Sequence, residues 1–176
     1  MQKVVITGHD LTVDQIIAVC REGAEVVLSD ESREKILASR QVVNELVEER
    51  KVVYGITTGF GKFSDVVISQ DECKLLQKNL IITHAVGAGD PFKEDIARGI
   101  LLLRVNSLSN GFSGICLETV ETMIAMLNKG VTPFIPEKGS LGASGDLAPL
   151  SHMVLPMIGL GMAWYKGELL PGAEAM

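Results

Sequence analysis

Cysteine is scarce in this chain, which has only Cys20, Cys73 and Cys116 among its 176 residues. Their number is odd, their spacing is wide, and none of them lies in a CxxC pair. The sequence therefore excludes a disulfide framework and a cysteine-based zinc site as organising features. We expect each cysteine to fill core volume on an apolar helix face.

The chain also lacks a long apolar run and a cluster of positive charge. Its longest apolar stretch, 153–165, is interrupted by Pro156, Gly159 and Gly161, whereas a helix needs about 20 apolar residues to cross a bilayer. The apolar run at the N-terminus is far too short for a signal peptide. Sixteen Lys and Arg residues against 22 Asp and Glu give a net charge of −6 without a basic stripe. We therefore expect a soluble, cytoplasmic protein that binds neither nucleic acid nor membrane.

Helical periodicity accounts for most of what is present. A capping box at Thr12–Gln15 predicts a short helix, and residues 31–50 predict a long amphipathic one. A second capping box at Ser69–Glu72 opens another helix, and two more are expected over residues 93–109 and 115–128. These helices are apolar on more than one side, which indicates a crowded bundle or a large subunit interface. In the helix over 93–109 the pattern places four residues inward, namely Ile96, Ile100, Leu103 and Leu108.

Short strands and irregular segments complete the pattern. Residues 3–7 predict one strand, and residues 163–170 predict a hairpin that turns at Lys166–Gly167. The helix over 115–128 is expected to end at Gly130. The last residues, 171–176, show no helix stop and no charged tail, so we expect a loop at which a longer protein has been cut. The fold class is therefore mainly α with a small mixed α/β head.

Glycine is abundant, with 18 residues, many of them in two stretches. The first stretch, residues 52–65, contains Gly55, Gly59 and Gly61 and is typical of a loop. It does not match a phosphate-binding loop, because Ile56 stands where the GxxxxGK pattern needs its first glycine. A GxGxxG pattern is absent too, since position 64 is not glycine. We therefore do not expect a nucleotide site.

The second stretch, Gly139–Leu150, contains Ala143, Ser144 and Gly145, followed by Asp146. Such a tripeptide is ordinarily turn material, and the aspartate would then be a helix N-cap. It also permits a specific reaction in which the Gly145 amide nitrogen attacks the Ala143 carbonyl carbon. Loss of water from the ring and of the Ser144 hydroxyl would leave a 4-methylideneimidazol-5-one, an electrophile made from the chain itself. Glycine suits the attack because it has no Cβ, and a strained loop would favour closure.

Three segments, in this order, resemble the motifs of the aromatic amino-acid ammonia-lyases. They are Tyr54–Gly61, Leu76–Gly89 and Gly139–His152, and together they extend over most of the chain. The resemblance implies the elongated helical fold shared with the aspartase and fumarase group. It also implies a methylidene-imidazolone (MIO) group formed from residues 143–145, with no external cofactor. Within the family, the pair Thr83–His84 most resembles the Ser-His pair of the histidine-specific members.

The resemblance implies catalytic and binding roles for two further residues. Tyr54 would be the base that removes the β-proton of the substrate. Without the family pattern, a buried tyrosine with a bonded hydroxyl is the commoner situation. His84 would lie beside the substrate side chain, where its imidazole could hydrogen-bond the substrate imidazole, whereas helix context alone favours a structural histidine.

Other residues near the motifs have supporting or structural interpretations. Asp146 could orient the loop, assist the cyclisation, or serve only as a helix cap. Gly61 would help to shape the loop that presents Tyr54. His9 and His152 are interpreted as structural, and no His, Cys and Asp cluster has the spacing of metal ligands.

The implied reaction is the non-oxidative deamination of L-histidine to trans-urocanate and ammonia. Another aromatic lyase or an aminomutase acting on tyrosine or phenylalanine is an alternative, and so is a non-catalytic structural fragment. Family members are longer, and their site is assembled from several subunits of a homotetramer, so we expect this chain alone to be inactive. The expected domains are a head over residues 1–110 and the start of the central helical domain over residues 111–176.

Overall fold

The computed structural model of the chain describes residues 2–59 and 70–176, and its first part is a small mixed α/β head. Strand β1 (Lys3–Ile6) pairs in parallel with strand β2 (Glu25–Leu28), and helix α1 (Val13–Arg21) connects them. Parallel strands require a crossover of this kind. The predicted strand and first helix are confirmed. Strand β2 was not predicted, because four residues show too little alternation to be recognised.

Side-chain caps fix where the first two helices begin. Thr12 Oγ1 accepts a hydrogen bond from Gln15 N at 3.3 Å, and Gln15 Oε1 accepts one from Thr12 N at 2.9 Å. This reciprocal pair is the predicted capping box. Helix α2 (Asp30–Glu48) begins similarly, because Ser29 Oγ accepts from Ser32 N at 3.1 Å. Its bounds confirm the predicted long helix.

Three further helices form the body of the molecule. They are α3 (Gln70–His84), α4 (Glu94–Leu108) and α5 (Leu117–Lys129), which confirms the helices predicted in these regions. Helix α5 ends at Gly130, whose φ of +75° is the left-handed conformation that glycine adopts without strain. Strand β3 (Ala88–Pro91) was not predicted, because glycine, aspartate and proline are depleted in strands. The second capping box begins outside the described residues.

Helix α4 turns a different face to the core from the one that the sequence pattern predicts. Ile96 and Leu103, both placed inward by the pattern, are 45% and 50% exposed. Ile100 is partly buried and Leu108 is buried, as expected. Because this helix is apolar on most sides, periodicity does not identify a unique inward face. The other buried residues of α4 are Ala97, Leu101, Leu102 and Val105.

Two small antiparallel sheets involve the later part of the chain. Their remaining strands are β4 (Thr132–Pro133), β5 (Pro136–Lys138), β6 (Met162–Tyr165) and β7 (Glu168–Pro171). Strand β5 pairs with β3, and the other sheet has the order β4-β6-β7. Lys166 and Gly167, both with positive φ, form the turn between β6 and β7. This confirms the predicted hairpin.

The end of the chain differs from the predicted loop. Helix α6 (Leu147–Val154) confirms the short helix expected after Asp146, and it continues into a 3-10 turn, Leu155–Ile158. The last residues form a further helical turn, α7 (Gly172–Ala175), which packs against that 3-10 turn. Ala175 is buried in this contact, so tertiary packing orders a segment that lacks helix signals of its own.

One buried cluster joins the head to the helices. It includes Ile6, Ile36, Leu101, Met126 and Met153, all with 2% exposure or less. The cluster takes residues from both sides of position 110, and the proposed division into two domains there stays a prediction. The three cysteines are free and partly buried. None of the helices within residues 2–59 and 70–176 combines the length and the apolar character that a bilayer crossing requires.

Asn128, in the last turn of α5, binds the backbone of β2. Its Oδ1 accepts from Val26 N at 2.8 Å, and its Nδ2 donates to Val26 O at 2.9 Å. Strand β1 pairs with β2 in a two-stranded sheet, so the asparagine amide takes the place of a neighbouring strand on the other edge. Both polar backbone groups of Val26 are thereby satisfied within the molecule.

Candidate active site

The segment between β5 and α6, residues 139–146, is named here the ring-forming loop after the reaction expected from its sequence, and it lies on the surface. Gly142–Ser144 form one 3-10 turn, after which Gly145 N donates to Gly142 O at 3.3 Å. Gly145 has φ +85°, a conformation that favours glycine because a side chain would be strained there. The turn therefore reverses the chain at the tripeptide that would cyclise.

This turn fits the ring closure expected from the sequence. A Cβ built on Gly142 or Gly145 meets no atom within 4 Å, so the space beside the tripeptide is open. Closure requires Gly145 N to leave Gly142 O and bond to the carbonyl carbon of Ala143, the next residue of the same turn. In the part of the chain that the structure describes, no group of three or more His, Cys, Asp and Glu residues is arranged to hold a metal ion.

Asp146 occupies the N-cap position of α6, but its side chain does not cap the helix. Its Oδ1 accepts a hydrogen bond from the hydroxyl of Ser140, and no side-chain bond reaches the first turn of α6. The bond between residues 140 and 146 closes the ring-forming loop at its two ends. Ser140 was not predicted as a site residue from the sequence. The available signal for Ser140 was its hydroxyl, which lies at the opposite end of a glycine-rich loop from the Asp146 carboxylate.

Two buried threonines support the turn that carries Tyr54. Thr57 Oγ1 accepts from Val53 N at 2.9 Å and donates to the Lys51 carbonyl. Thr58 Oγ1 accepts from Gly55 N at 3.3 Å. Thr57 and Thr58 are 6% and 1% exposed, whereas Tyr54 is 61% exposed. The two threonine side chains thus make the hydrogen bonds that backbone groups would make in a regular helix or sheet. Tyr54 lies on the surface.

His84, the last residue of α3, has its side chain fixed by the helix end. Its Nδ1 lies 2.7 Å from Leu80 O, and Thr83 Oγ1 donates to the same carbonyl at 3.1 Å. A carbonyl oxygen only accepts hydrogen bonds, so Nδ1 carries the proton. In the neutral imidazole, Nε2 is then a hydrogen-bond acceptor. The pair Thr83 and His84 therefore presents a defined acceptor nitrogen, which the sequence alone does not show.

A contact between two glycines joins the His84 region to the ring-forming loop. Helix α3 packs against α6, and Gly87 N donates to His152 Nε2 at 3.0 Å. A Cβ built on Gly139 would lie 2.9 Å from the Gly87 Cα and 3.3 Å from the Ala148 Cβ. The segment that follows His84 is therefore in contact with the beginning of the loop and with the helix that ends it. Burial lowers the pKa of His152.

The turn that carries Tyr54 contacts a different part of α3. Cys73 Sγ donates to Ile56 O at 3.6 Å, and Cys73 precedes His84 by about three helical turns. The structure thus brings the His84 region and the ring-forming loop together, while Tyr54 is held near the other end of the same helix. Gly61, the remaining predicted site residue, lies outside the described residues.

Two cavities adjoin these elements. The larger, about 1070 Å³, is lined by Gly55 and Ile56 of the Tyr54 turn, by Cys73 of α3 and by Leu147 at the start of α6. It therefore lies between the Tyr54 turn and the start of α6, the helix that follows the ring-forming loop. The smaller, about 310 Å³, lies on Phe92, Pro136, Ser140, Asp146, Pro149 and Leu150.

Comparison with known proteins gives consistent matches over nearly the whole chain. A family model described as aromatic amino acid lyase matches residues 11–176. The chain is 61% identical to the histidine ammonia-lyase of Caldanaerobacter subterraneus subsp. tengcongensis over 176 residues, which are 100% of this chain and 35% of that protein. The crystal structure of histidine ammonia-lyase from Trypanosoma cruzi matches with a TM-score of 0.91 and 39% identity, over 98% of this chain and 34% of that one. Ergothionase from Treponema denticola, an ergothioneine-degrading enzyme, matches with a TM-score of 0.94 and 31% identity, over 99% of this chain and 35% of that one.

These matches show which family the chain belongs to and how much of its relatives' length it covers. The chain spans about 35% of the length of the relatives that it matches. The matched residues include all three motif segments and both elements that meet at Gly87. The mainly helical architecture expected from the sequence is the architecture of the matched structures. The chain belongs to the aromatic amino acid lyase family.

Proposed function

We propose that this chain is the N-terminal part of an ammonia-lyase that converts L-histidine to trans-urocanate and ammonia without oxidation. The observation that carries the proposal is the contact at Gly87, because it sets the His84 region against the ring-forming loop. The identity of 61% with a histidine ammonia-lyase over all 176 residues supports the choice of substrate.

In this proposal His84 recognises the substrate side chain. Its Nδ1–H donates to Leu80 O, so Nε2 accepts a hydrogen bond in the neutral form. The imidazole of L-histidine has a ring N–H to donate, whereas the ring of phenylalanine has none. A site that hydrogen-bonds a substrate N–H discriminates strongly against analogues without one. His84 therefore favours histidine over phenylalanine.

Ala143, Ser144 and Gly145 are the residues that would form the methylidene-imidazolone. Once formed, this group supplies an electrophile that assists departure of the amine, which leaves as ammonia. The contact between Ser140 and Asp146 holds the two ends of the loop while the tripeptide between them closes. Asp146 thus has the role of orienting the loop.

Tyr54 is the proposed acceptor of the β-proton. The support for this role is its motif, Tyr54–Gly61, and its rigid presentation by Thr57 and Thr58. The Tyr54 oxygen would take the proton from the substrate β-carbon as the carbon–nitrogen bond breaks. Gly61 is proposed to shape the loop that presents this oxygen.

We further infer that the full-length protein is a cytoplasmic homotetramer in which several subunits complete the site. The ring-forming loop and Tyr54 are exposed in this chain, and catalysis of this kind needs water to be excluded from the reacting groups. Protein from the remaining length or from neighbouring subunits would supply that cover.

The test is an assay of the full-length protein with L-histidine, followed by the near-ultraviolet absorbance of urocanate. The intact mass of the active protein should be lower than the sequence mass by two water molecules. Ser144→Ala should have the mass of its own sequence and lower the rate at least about a thousandfold, because the exocyclic methylidene is the serine Cβ after the hydroxyl has left as water. Ser107→Ala, an exposed serine on α4, is the matched control and should behave as the wild type.

Parallel assays with L-tyrosine, L-phenylalanine and ergothioneine separate the proposed substrate from its alternatives. A higher kcat/KM for any of these three than for L-histidine would contradict the substrate. A full-length protein with the unreduced mass and no turnover would contradict the enzymatic proposal and favour a structural role.

A further inference from the structure

Five residues form a compact contact, named here the Gly87 junction, around the peptide nitrogen of Gly87. They are Gly87, Pro136, Gly139, Ala148 and His152. A Cβ built on Gly87 would lie 3.0 Å from both His152 Nε2 and the Pro136 Cβ. Gly139 has φ +140°, and its own Cβ would lie 2.9 Å from the Gly87 Cα. A side chain at either position would therefore crowd the junction, and at Gly139 it would also be strained by the backbone conformation.

The Gly87 junction touches the first residue of the ring-forming loop and the helix that follows the loop. Gly139 is the first residue of the loop, and Ala148 and His152 lie on α6, the helix that follows it. Gly87 lies three residues after His84, the proposed substrate contact. The Gly87 peptide thus lies between the loop and the segment that follows His84.

The hydrogen bond from Gly87 N to His152 Nε2 is the polar contact of the junction. It spans 65 positions of the sequence at 3.0 Å. Nε2 must accept, so the imidazole is neutral and its proton is on Nδ1. The imidazole and the Gly87 N–H are both partly buried, so loss of the acceptor would leave a backbone donor unsatisfied. Burial lowers the pKa of His152, which favours the neutral form that the bond needs.

We propose that His152 is a positioning residue for ring formation, which fixes the ring-forming loop against the His84 segment by accepting the Gly87 N–H. This inference rests on the proposed function, since it assigns a part in making the electrophile and aligning it with the substrate. His152 does not contact the reacting atoms of the tripeptide. Its effect passes through the two ends of the loop, at Gly139 and at α6.

The experiment compares His152→Leu, which removes the acceptor, with His152→Gln, whose side-chain oxygen can accept from Gly87 N. His9→Leu is the matched control, because His9 is exposed and precedes α1. Hydrogen exchange read by mass spectrometry on peptides covering residues 85–91 reports the Gly87 bond. The intact mass of the full-length protein, sampled over time after synthesis, reports the rate of ring formation.

For His152→Leu we expect exchange in residues 85–91 to accelerate about tenfold and ring formation to slow about tenfold. His152→Gln should keep both rates within about threefold of the wild type, and His9→Leu should match the wild type. Rescue by glutamine distinguishes a specific acceptor from a residue that merely fills space.

The proposal would be overturned if His152→Leu left the exchange rate of residues 85–91 unchanged. It would also be overturned if exchange became faster while ring formation kept the wild-type rate. Equal defects in the glutamine and leucine variants would do the same. If His152→Leu does not fold, Gly87→Ala tests the contact from its other partner, because the added Cβ would lie 3.0 Å from Nε2 and press on the imidazole. Ring formation at the wild-type rate in Gly87→Ala would then count against the proposal. A wild-type protein that forms no ring contradicts the proposed function instead, and the exchange data still report on the junction.

Discussion

At the scale of single residues, Gly139 is a position where an added methyl group is costly. Its φ of +140° is strained for any L side chain, and its Cβ would press on backbone at Gly87. We expect Gly139→Ala to lower the free energy of unfolding by about 2 kcal/mol or more. Denaturant unfolding of the wild type and the variant measures the difference.

Gly167 provides the matched control for that substitution. It also has a positive φ, +81°, but a Cβ built there meets nothing within 4 Å. Gly167→Ala should therefore carry the conformational strain alone, about 1 kcal/mol. Equal losses in the two variants would show that the contact between Gly139 and Gly87 adds nothing.

His152 makes stability depend on pH in a definite direction. Burial lowers its pKa in the folded protein, so the unfolded chain binds the proton more readily. Stability from this group is complete above its unfolded pKa, about 6.5, and is lost as the pH falls toward the lower folded pKa. Thermal unfolding over this range should show a steeper fall for the wild type than for His152→Gln.

The same slope in both proteins would contradict this assignment. The comparison is needed because other groups titrate in the surroundings of α6. The described titratable side chains on α3 and β5, which pack against α6, are Glu72, Cys73, Lys74, Lys78, His84, Glu137 and Lys138.

At the scale of elements, the capping box of α1 is a local signal with a measurable effect. Thr12 Oγ1 and Gln15 Oε1 each accept a backbone N–H of the other residue. We expect Thr12→Ala to lower the free energy of unfolding by about 1 kcal/mol, because a backbone donor loses its partner. Chemical denaturation provides the measurement.

Thr122→Ala is the control for the cap. Its hydroxyl donates to Glu118 O at 2.7 Å inside α5, where alanine has the better helix propensity. The variant should be neutral or slightly more stable than the wild type. A larger loss at Thr122 than at Thr12 would mean that the hydroxyl matters more inside the helix than at its start.

Helix ends and turns were predictable because their signals are local. The capping box at Thr12, the left-handed end at Gly130 and the turn at Lys166–Gly167 each depend on a few neighbouring residues. The inward face of α4 was not predictable from the sequence. Ile96 and Leu103 are apolar like the buried residues and differ from them only in what packs against them. Strand β3 forms through its pairing with β5, about 45 positions further along the chain, and carries no strand propensity.

The residues of the candidate site also divide into those that the sequence predicts and those whose roles depend on packing. The tripeptide 143–145 and Tyr54 lie in motifs, so the sequence alone predicts them as candidates. The acceptor state of His84 depends on Leu80 O, and the part of His152 depends on Gly87, 65 positions away. Distances of this kind between side chain and backbone are set by packing, and a sequence pattern does not encode them directly.

At the scale of the whole molecule, the surface near the candidate site is apolar and open. Tyr54, Val86, Leu141 and Leu147 are 61%, 68%, 71% and 43% exposed, and all four belong to the motif segments. Such exposure around reacting groups leaves them in water, where electrostatic stabilisation of a transition state is weak. We expect the 176-residue chain alone to form urocanate at less than about one hundredth of the rate of the full-length protein.

The measurement is steady-state urocanate formation by the two proteins at equal concentrations of chain. Circular dichroism on the shorter chain serves as the control that it has folded. Comparable rates would show that the described residues are sufficient for catalysis, contrary to the expectation.

The bond between Asn128 and Val26 also sets an order of events during synthesis. The open edge of a strand is a template for pairing with other chains, and the asparagine amide occupies that edge of β2. Strand and side chain are 102 positions apart, which at about 5–20 residues per second is roughly 5–20 seconds of translation. During that interval the edge of β2 is exposed, because Asn128 has not yet been synthesised. The newly made head is therefore open to pairing with other chains until Asn128 has been synthesised.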